Sequence, residues 1–370
     1  MTTRTKPPFR ADHVGSLLRP PELLKAREDF KQGQISTHEL RSFEDMAIRY
    51  AVRAQEEIGL AVATDGEYRR SSWHMDFLYQ IGGVVKTQDN IKVQFRNAEG
   101  VTEFTPSGVR INGKLKLNTC IFGEDFDFLK SVTKVTPKLT IPSPSMLHYR
   151  GGRAAIDEKI YPEMDAFWAD LAAVYADEIE ALGKRGCTYL QLDDTSLAYM
   201  NDPNQRELIK KLGGGADQHL TYIKTINAAL AKKPAGMTVS THMCRGNFRS
   251  SWVAEGGYDY VAEALFNELK VDGFFLEYDD ARSGGFEPLR FVPKGKIIVL
   301  GLVTTKRPEL EKKDDLKRRI DEAAKYVPLE QLCLSPQCGF SSTVDGNALT
   351  AEQQAAKLRL VVETAREVWG

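Results

Sequence analysis

The chain has 370 residues, 42% apolar and 27% charged, and its 50 Lys and Arg against 51 Asp and Glu leave a net charge of -1. That balance suits a globular protein in solution and lacks the basic excess of a nucleic-acid binder. The start MTTRTKPPFRADHVGSLLRP has no apolar signal core and no apolar stretch reaches the ~18 residues of a membrane helix, so a cytoplasmic, membrane-free protein is expected.

Eight short apolar or β-branched runs recur along the chain, each closing on polar or small residues. They are FRADHVGSL (9–17), LAVATDGE (60–67), PKLTIPSPS (137–145), TYLQLDD (188–194), MTVSTHMC (237–244), GFFLEYDD (273–280), KIIVLGLV (296–303) and QLCLSPQCG (331–339). Between them lie stretches with helical spacing: 38–59 and 161–186 both end at glycine, and TAEQ at Thr350 fits a capping box that opens the last helix. The glycine cluster LGGGADQ (212–218) reads as a loop between elements. Strands alternating with helices imply a parallel sheet, and eight units imply a closed α/β (β/α)8 TIM barrel spanning 1–370 as one domain. No linker rich in Pro, Gly or Ser divides the chain. Residues 90–119 break the pattern with two-residue periodicity and an Asn112-Gly113 pair, which reads as an inserted β-hairpin excursion.

Barrel chemistry sits at the carboxyl ends of strands. In chain order these ends carry His13 and Ser16, Asp65 and Glu67, His148 and Tyr149, Asp193 and Asp194, His242 and Cys244, Glu277 and Asp279, Lys306, and Cys338. Zinc favours nitrogen and sulfur donors in a tetrahedral shell. His242 and Cys244, two apart on an extended strand end, point to the same side and can share one ion; Cys338 adds a second thiolate and Glu277 an oxygen. A lone cysteine is more often a small buried hydrophobe, and only the joint placement at different strand ends argues for Zn2+. Five scattered cysteines make no disulfide framework, and Cys120, Cys187 and Cys333 read as structural. A structural zinc would take ligands close in sequence, whereas His242 and Cys338 are 96 positions apart.

A thiolate-rich zinc site lets a substrate thiol ionise near neutral pH, which favours alkyl transfer to sulfur. Glu67 and Asp193 can grip the ammonium group of an amino-acid thiol, and backbone amides near Gly15 and Ser16 its carboxylate. These carboxylates can equally cap neighbouring loops. Arg69 and Arg70, in EYRRSSWHMDF, bind an anion or form a solvated face.

The stretches HVGSLLRP, TDGEYRR, QLDDTSLAYM, THMCRGN, FFLEYDDARSGGFEPL and LSPQCGF resemble the catalytic barrel of cobalamin-independent methionine synthase, from about Phe9 to the end of the chain. The resemblance implies a zinc-dependent S-methyltransferase that forms methionine from homocysteine. It places the metal ligands on His242, Cys244, Glu277 and Cys338, and homocysteine contacts on Ser16, Glu67 and Asp193. Full-length members carry a second, N-terminal barrel that helps bind methyltetrahydrofolate, and this chain matches the catalytic half. The family's folate-stacking tryptophan falls on Tyr149, beside His148, and its proton-moving histidine on Lys306, so the methyl donor stays open between methyltetrahydrofolate, a corrinoid and another source. The alternative is alkyl transfer to another small thiol, as in epoxyalkane:coenzyme M transferase, whose sulfonate Arg69, Arg70 or Arg245 would hold. Partner proteins and homo-oligomer formation are left open.

Overall fold

A computed structural model describes residues 4–88, 93–97, 100–105 and 107–370. Its strands in chain order are β1 (Val62–Ala63), β2 (Gly82–Gln88), β3 (Val93–Asn97), β4 (Gly100–Phe104), β5 (Ser107–Lys116), β6 (Thr136–Pro137), β7 (Leu139–Pro142), β8 (Tyr189–Asp194), β9 (Thr238–Met243), β10 (Gly273–Glu277), β11 (Ile297–Val303) and β12 (Leu332–Pro336).

Strands β7 to β12 form a parallel sheet in the order β12-β11-β10-β9-β8-β7. From β7 to β12 every residue is buried except Thr238 at the start of β9, as a sheet covered by helices on one face and closed on itself at the other requires. The segment 136–142 serves two neighbours, pairing with β1 through β6 and with β8 through β7. The run 9–17 fills the remaining place. Ala11 bridges Leu334 in parallel, with the Asp12 amide donating to Leu334 O at 3.0 Å and the Leu334 amide to Arg10 O at 2.9 Å. On its other side the Thr64 hydroxyl donates to Gly15 O at 2.6 Å and the Leu17 amide to Gly66 O at 3.1 Å.

The architecture is thus the expected α/β barrel, with its thinnest backbone ladder between 9–17 and 60–67. Gly15 accounts for this: its φ of 144° leaves the strand conformation, and a Cβ there would meet Thr140 Cγ2 at 2.7 Å. The helices fall where spacing placed them, at Thr37–Ile58, Met164–Lys184 and Ala351–Trp369. Capping boxes of Ser36 with Glu39 and Thr350 with Gln353 satisfy orphan amides at the first and last of these. Among the described residues no helix is long and apolar enough to cross a membrane.

The insertion differs from expectation in start and turn. It opens at Gly82, ahead of 90, and makes two antiparallel ladders, β2 with β5 and β3 with β4. Asn112 and Gly113 lie inside β5 rather than in a turn. The register slips opposite them between Gly82 and Val84, and a Cβ on Gly83 would meet Gly113 O at 2.6 Å. The Asn-Gly pair marks a bulge where two backbones approach closely. Residues 89–92, 98, 99 and 106 of this segment lie outside the described residues.

Candidate metal and substrate site

The strand ends of β9, β10 and β12 bring the four proposed ligands together. His242 is in β9, Cys244 follows it, Glu277 closes β10 and Cys338 lies two residues past β12. One ligand atom from each of the four lies within 4.8 Å of all the others, and all four residues are buried. Cys244 Sγ and Cys338 Sγ are 3.5 Å apart.

The donor set fits a metal ion on its own chemistry. Both ring nitrogens of His242 and Oε2 of Glu277 are buried without a hydrogen-bond partner, a costly arrangement unless something else is bound. Nearby groups hold the set in place: the Arg245 amide donates to Glu277 Oε1 at 3.2 Å and the Gly246 amide to Cys244 Sγ at 3.3 Å. The hydrogen bond from the Cys244 thiol, helped by His242, holds the Cys338 thiol well below its ordinary pKa; the same shared proton, then burial, pushes Cys244 up. One sulfur of the pair is therefore already disposed to be a thiolate.

A cavity of about 250 Å³ is lined by His242, Cys244 and Cys338 and also by Ser16, Glu67 and Asp193. Glu67 sits at φ 60°, a conformation non-glycine residues avoid and that concentrates at functional positions. The Thr140 hydroxyl donates to its Oε1 at 2.8 Å, with Arg70 Nη1 3.7 Å away, while Oε2 has no hydrogen-bond partner. Burial raises the Glu67 carboxyl, and Arg70 opposes this. Asp193 accepts from Gln191 Nε2 at 2.6 Å, and burial, partly offset by His242, pushes it up to about 7. Two buried carboxylates with spare lone pairs form a receptor for a cation.

The proposed donor-side residues are placed differently from one another. His148 and Tyr149, in the short helix Met146–Tyr149, do not line this cavity. His148 Nδ1 lies 3.0 Å from Tyr222 Oη and its ring packs 4.8 Å from Trp168, while Tyr149 Oη donates to Gln205 Oε1 at 3.1 Å. Both side chains are buried, and the Tyr149 ring packs edge-on at 5.5 Å against Tyr199, which lines the cavity. Lys306 is buried with Nζ 3.4 Å from Asn247 Oδ1, and Asn247 lines the cavity.

Arg69 is held by Asp45, by Asp125 at 3.0 Å and by Glu44 at 3.8 Å. Arg70 donates to Thr140 Oγ1 and O at 3.0 and 2.8 Å, and Arg245 to Tyr258 Oη, Glu277 O, Gly256 O and Ser283 O. All three guanidinium groups are committed to the protein itself.

Sequence reasoning missed Trp73, His74, Phe95, Phe104, Arg150 and Phe248, which line the same cavity. SSWHMDF offered a signal, since Trp73 and His74 follow a strand end. Phe95 and Phe104 offered none, because nothing in 90–119 shows that the insertion folds back. It does so through Arg96, whose amide and carbonyl pair with Trp252 at 2.7 and 2.9 Å. The rings of Phe95 and Phe104 lie 5.1 and 4.7 Å from that of Phe248.

His148 and the equally buried His13 give a prediction for stability. Burial holds both imidazoles down at about 4, with Lys138 adding to the effect at His13. The unfolded chain therefore takes up protons first, so their contribution is fully present above pH ~6.5 and is lost as pH falls toward ~4. Each should cost on the order of 2 kcal/mol at pH 5 relative to pH 7.5. Urea midpoints at the two pH values should drop for the parent chain and drop less for His148→Gln; equal drops would refute the assignment.

The whole barrel has relatives. Residues 9–367 match the family model described as cobalamin-independent synthase, catalytic domain. The chain is 48% identical over 367 residues to the uncharacterized protein YxjH of Bacillus subtilis, covering 98% of this chain and 96% of that one. It is 25% identical over 334 residues to the methionine synthase of Pyrococcus abyssi, covering 88% and 85% of the two. Among solved structures, a Listeria monocytogenes chain provisionally assigned as a vitamin-B12 independent methionine synthase superposes with a TM-score of 0.79 at 39% identity, covering 99% and 100%. On the family match and these identities, the chain belongs to the cobalamin-independent synthase family through its catalytic domain.

Proposed function

We propose that this chain is a zinc-dependent methyltransferase that moves a methyl group to the thiol of homocysteine and so forms methionine. One observation carries the reading: the His242, Cys244 and Cys338 donors open on the same cavity as Glu67 and Asp193, while Glu277 closes the set from behind. Membership of a methyltransferase family supports it.

A zinc ion held by these four residues would supply the Lewis acidity that lets a thiol lose its proton near neutral pH. The chain's own residues do the rest. Cys244 and Cys338 bring negative charge that keeps a neighbouring sulfur electron-rich. Glu67 and Asp193 hold the substrate ammonium, which fixes the thiol at the His242 end of the cavity and satisfies the unpartnered Glu67 Oε2. In the transfer itself the carbon–sulfur bond of methionine forms as the bond from methyl to donor breaks, and the donor keeps that electron pair.

An amino-acid thiol is favoured over a sulfonated one because the buried Glu67 and Asp193 carboxylates beside the thiol donors suit an ammonium group, while Arg69, Arg70 and Arg245, the arginines the sequence offered for a sulfonate, are occupied within the protein. Metal analysis should give about one zinc per chain, and zinc-edge absorption should gain a sulfur at ~2.3 Å on addition of homocysteine and stay unchanged with coenzyme M. A metal-free active protein, or a response to coenzyme M alone, would overturn the proposal. Assays with methyltetrahydrofolate, methylcobalamin and simple sulfonium or methoxy compounds identify the donor.

A further inference from the structure

The amino end of the barrel, opposite the rim that carries the metal and substrate residues, holds a second cavity of about 140 Å³. It lies where three separate pieces of chain meet: the segment 4–11 that enters the barrel, the turn at 59–61 ahead of β1, and the end of the helix Ala351–Trp369. Arg4, Arg10 and Arg366 line it, and among the described residues no aspartate or glutamate does. Most of the remaining lining is apolar, from Phe9, Val362, Ala365 and Trp369; Gly370, which also lines it, has a partner of its own.

The three arginines are positioned without being neutralised. Arg4 Nε and Nη2 donate to the carbonyls of Pro8 at 2.5 Å and Pro7 at 3.0 Å, and Arg10 Nη1 donates to those of Glu330 and Leu332 at 3.1 and 2.6 Å. Arg10 Nε is buried with no hydrogen-bond partner, and its guanidinium lies 5.4 Å from the centre of the Trp369 ring. The Arg366 guanidinium has no hydrogen bond or ion pair among the described residues. Its Nη2 sits over Gly59, where a Cβ would come within 2.6 Å, so the bare backbone there makes room for it. The end of the helix Thr37–Ile58 at Gly59 offers Arg366 partial negative charge but leaves its five donors open. Three like charges around one small cavity repel one another, and a buried donor without an acceptor is costly. An oxyanion between them removes both penalties.

We propose that Arg4, Arg10 and Arg366 bind a phosphoryl group in this cavity, either as inorganic phosphate or as the end of a small phosphomonoester. A doubly charged tetrahedral group can accept from three guanidinium groups at different angles, whereas one guanidinium already fills a carboxylate. The bound group ties the entering segment, the turn before β1 and the last helix together at the seam between 9–17 and 60–67, where the backbone ladder is thinnest. Binding therefore reads out as stability. The site stands independently of the methyl-transfer reading.

The test follows thermal unfolding of the full chain against inorganic phosphate, glycerol 3-phosphate and acetate, with chloride adjusted to hold ionic strength constant. Both phosphates should raise the midpoint along a saturating curve, and acetate should act more weakly; the tighter phosphate tells the free ion from the ester. Arg366→Gln should weaken phosphate about 10- to 100-fold. Arg359→Gln removes an exposed arginine of the same helix outside the cavity and should leave phosphate binding unchanged. Arg366 is exposed and bonds to nothing, so its replacement should leave the fold intact, which the midpoint without phosphate checks. A midpoint that rises without saturating, a rise that survives in Arg366→Gln or is lost equally in Arg359→Gln, or tighter binding of acetate would overturn the proposal.

Discussion

Cys338→Ser and Cys244→Ser should each reduce bound zinc from about one per chain to near zero and lower thiol methylation by on the order of 10³-fold or more. Loss of an outer partner of a metal ligand already costs roughly 10–100-fold, and these substitutions remove a ligand itself. A serine hydroxyl is similar in size but does not ionise at neutral pH, so the site loses both an anion and a soft donor. Cys333→Ser and Cys187→Ser provide the contrast. Cys333 Sγ faces Pro8 O at 3.8 Å and Cys187 Sγ faces Tyr189 O at 3.5 Å, both far down the strands from the site. Burial pushes both thiols up to about 12, so they remain protonated. These two variants should keep the full zinc content. Atomic absorption on the four purified proteins decides the matter: zinc retained at full stoichiometry in Cys338→Ser, or lost equally in Cys333→Ser, would refute the ligand assignment.

The gathering of His242, Cys244, Glu277 and Cys338 was legible because a barrel converts sequence position into spatial position. Every strand delivers its carboxyl end to one rim, so polar residues closing different runs are neighbours whatever their separation, as His242 and Cys338 are. The same rule puts Glu67 and Asp193 on the cavity wall beside it. It lost its force several residues beyond the strand, where a separate short helix intervenes. His148 and Tyr149 follow β7 within a few residues, yet their polar atoms meet Tyr222 and Gln205, and Tyr149 stands one ring behind the cavity wall, against Tyr199. A residue past a strand end belongs to a loop whose path is set by packing that no periodicity encodes.

Charge was still less legible. Arg69, Arg70 and Arg245 looked like anion binders because each stands beside a functional motif, but their partners Asp45, Thr140 and Gly256 are contributed by other parts of the chain. Arg150 drew no attention in MLHYRGG, and among the described residues it has no hydrogen bond or ion pair. Pairing is a property of the folded surface, so a sequence shows how many arginines there are and not which ones are available. The insertion fails for a related reason. Its two-residue period revealed strands, but docking of Arg96 on Trp252 brings its aromatic residues over the loop that follows Cys244, and that contact spans 156 positions of chain.

Lys138→Met should destabilise the barrel by about 3–5 kcal/mol, the range for a buried ion pair stripped of one partner. The Lys138 side chain is wholly buried at the start of the β7 segment, with Nζ 3.1 Å from Asp12 Oδ1 and 2.6 Å from His13 O. The rings of Phe275 and Tyr189 lie 4.0 and 4.9 Å from it. Asp12 also accepts the amides of Phe9 at 3.1 Å and His13 at 2.8 Å and the Tyr189 hydroxyl at 2.8 Å, so it cannot leave the interior when the ammonium is removed. These contacts tie the run 9–17 to β7 and β8 where the backbone ladder is thinnest, which places the loss at the seam of the barrel. Methionine keeps much of the apolar stem, so the cost comes from Asp12 stranded with its charge rather than from a cavity. Lys138→Met with Asp12→Asn should therefore recover part of the stability despite changing two residues, a non-additivity characteristic of a shared pair. The charge also reaches the site, because Lys138 is among the groups that hold the Asp193 carboxyl down. Without it Asp193 takes up its proton at higher pH, and homocysteine binding should weaken near neutrality more than at pH 8.5, where the carboxylate is restored. Urea unfolding of the single and double variants and homocysteine titrations at the two pH values check both halves; additive destabilisation, or a binding defect independent of pH, would separate the seam from the site.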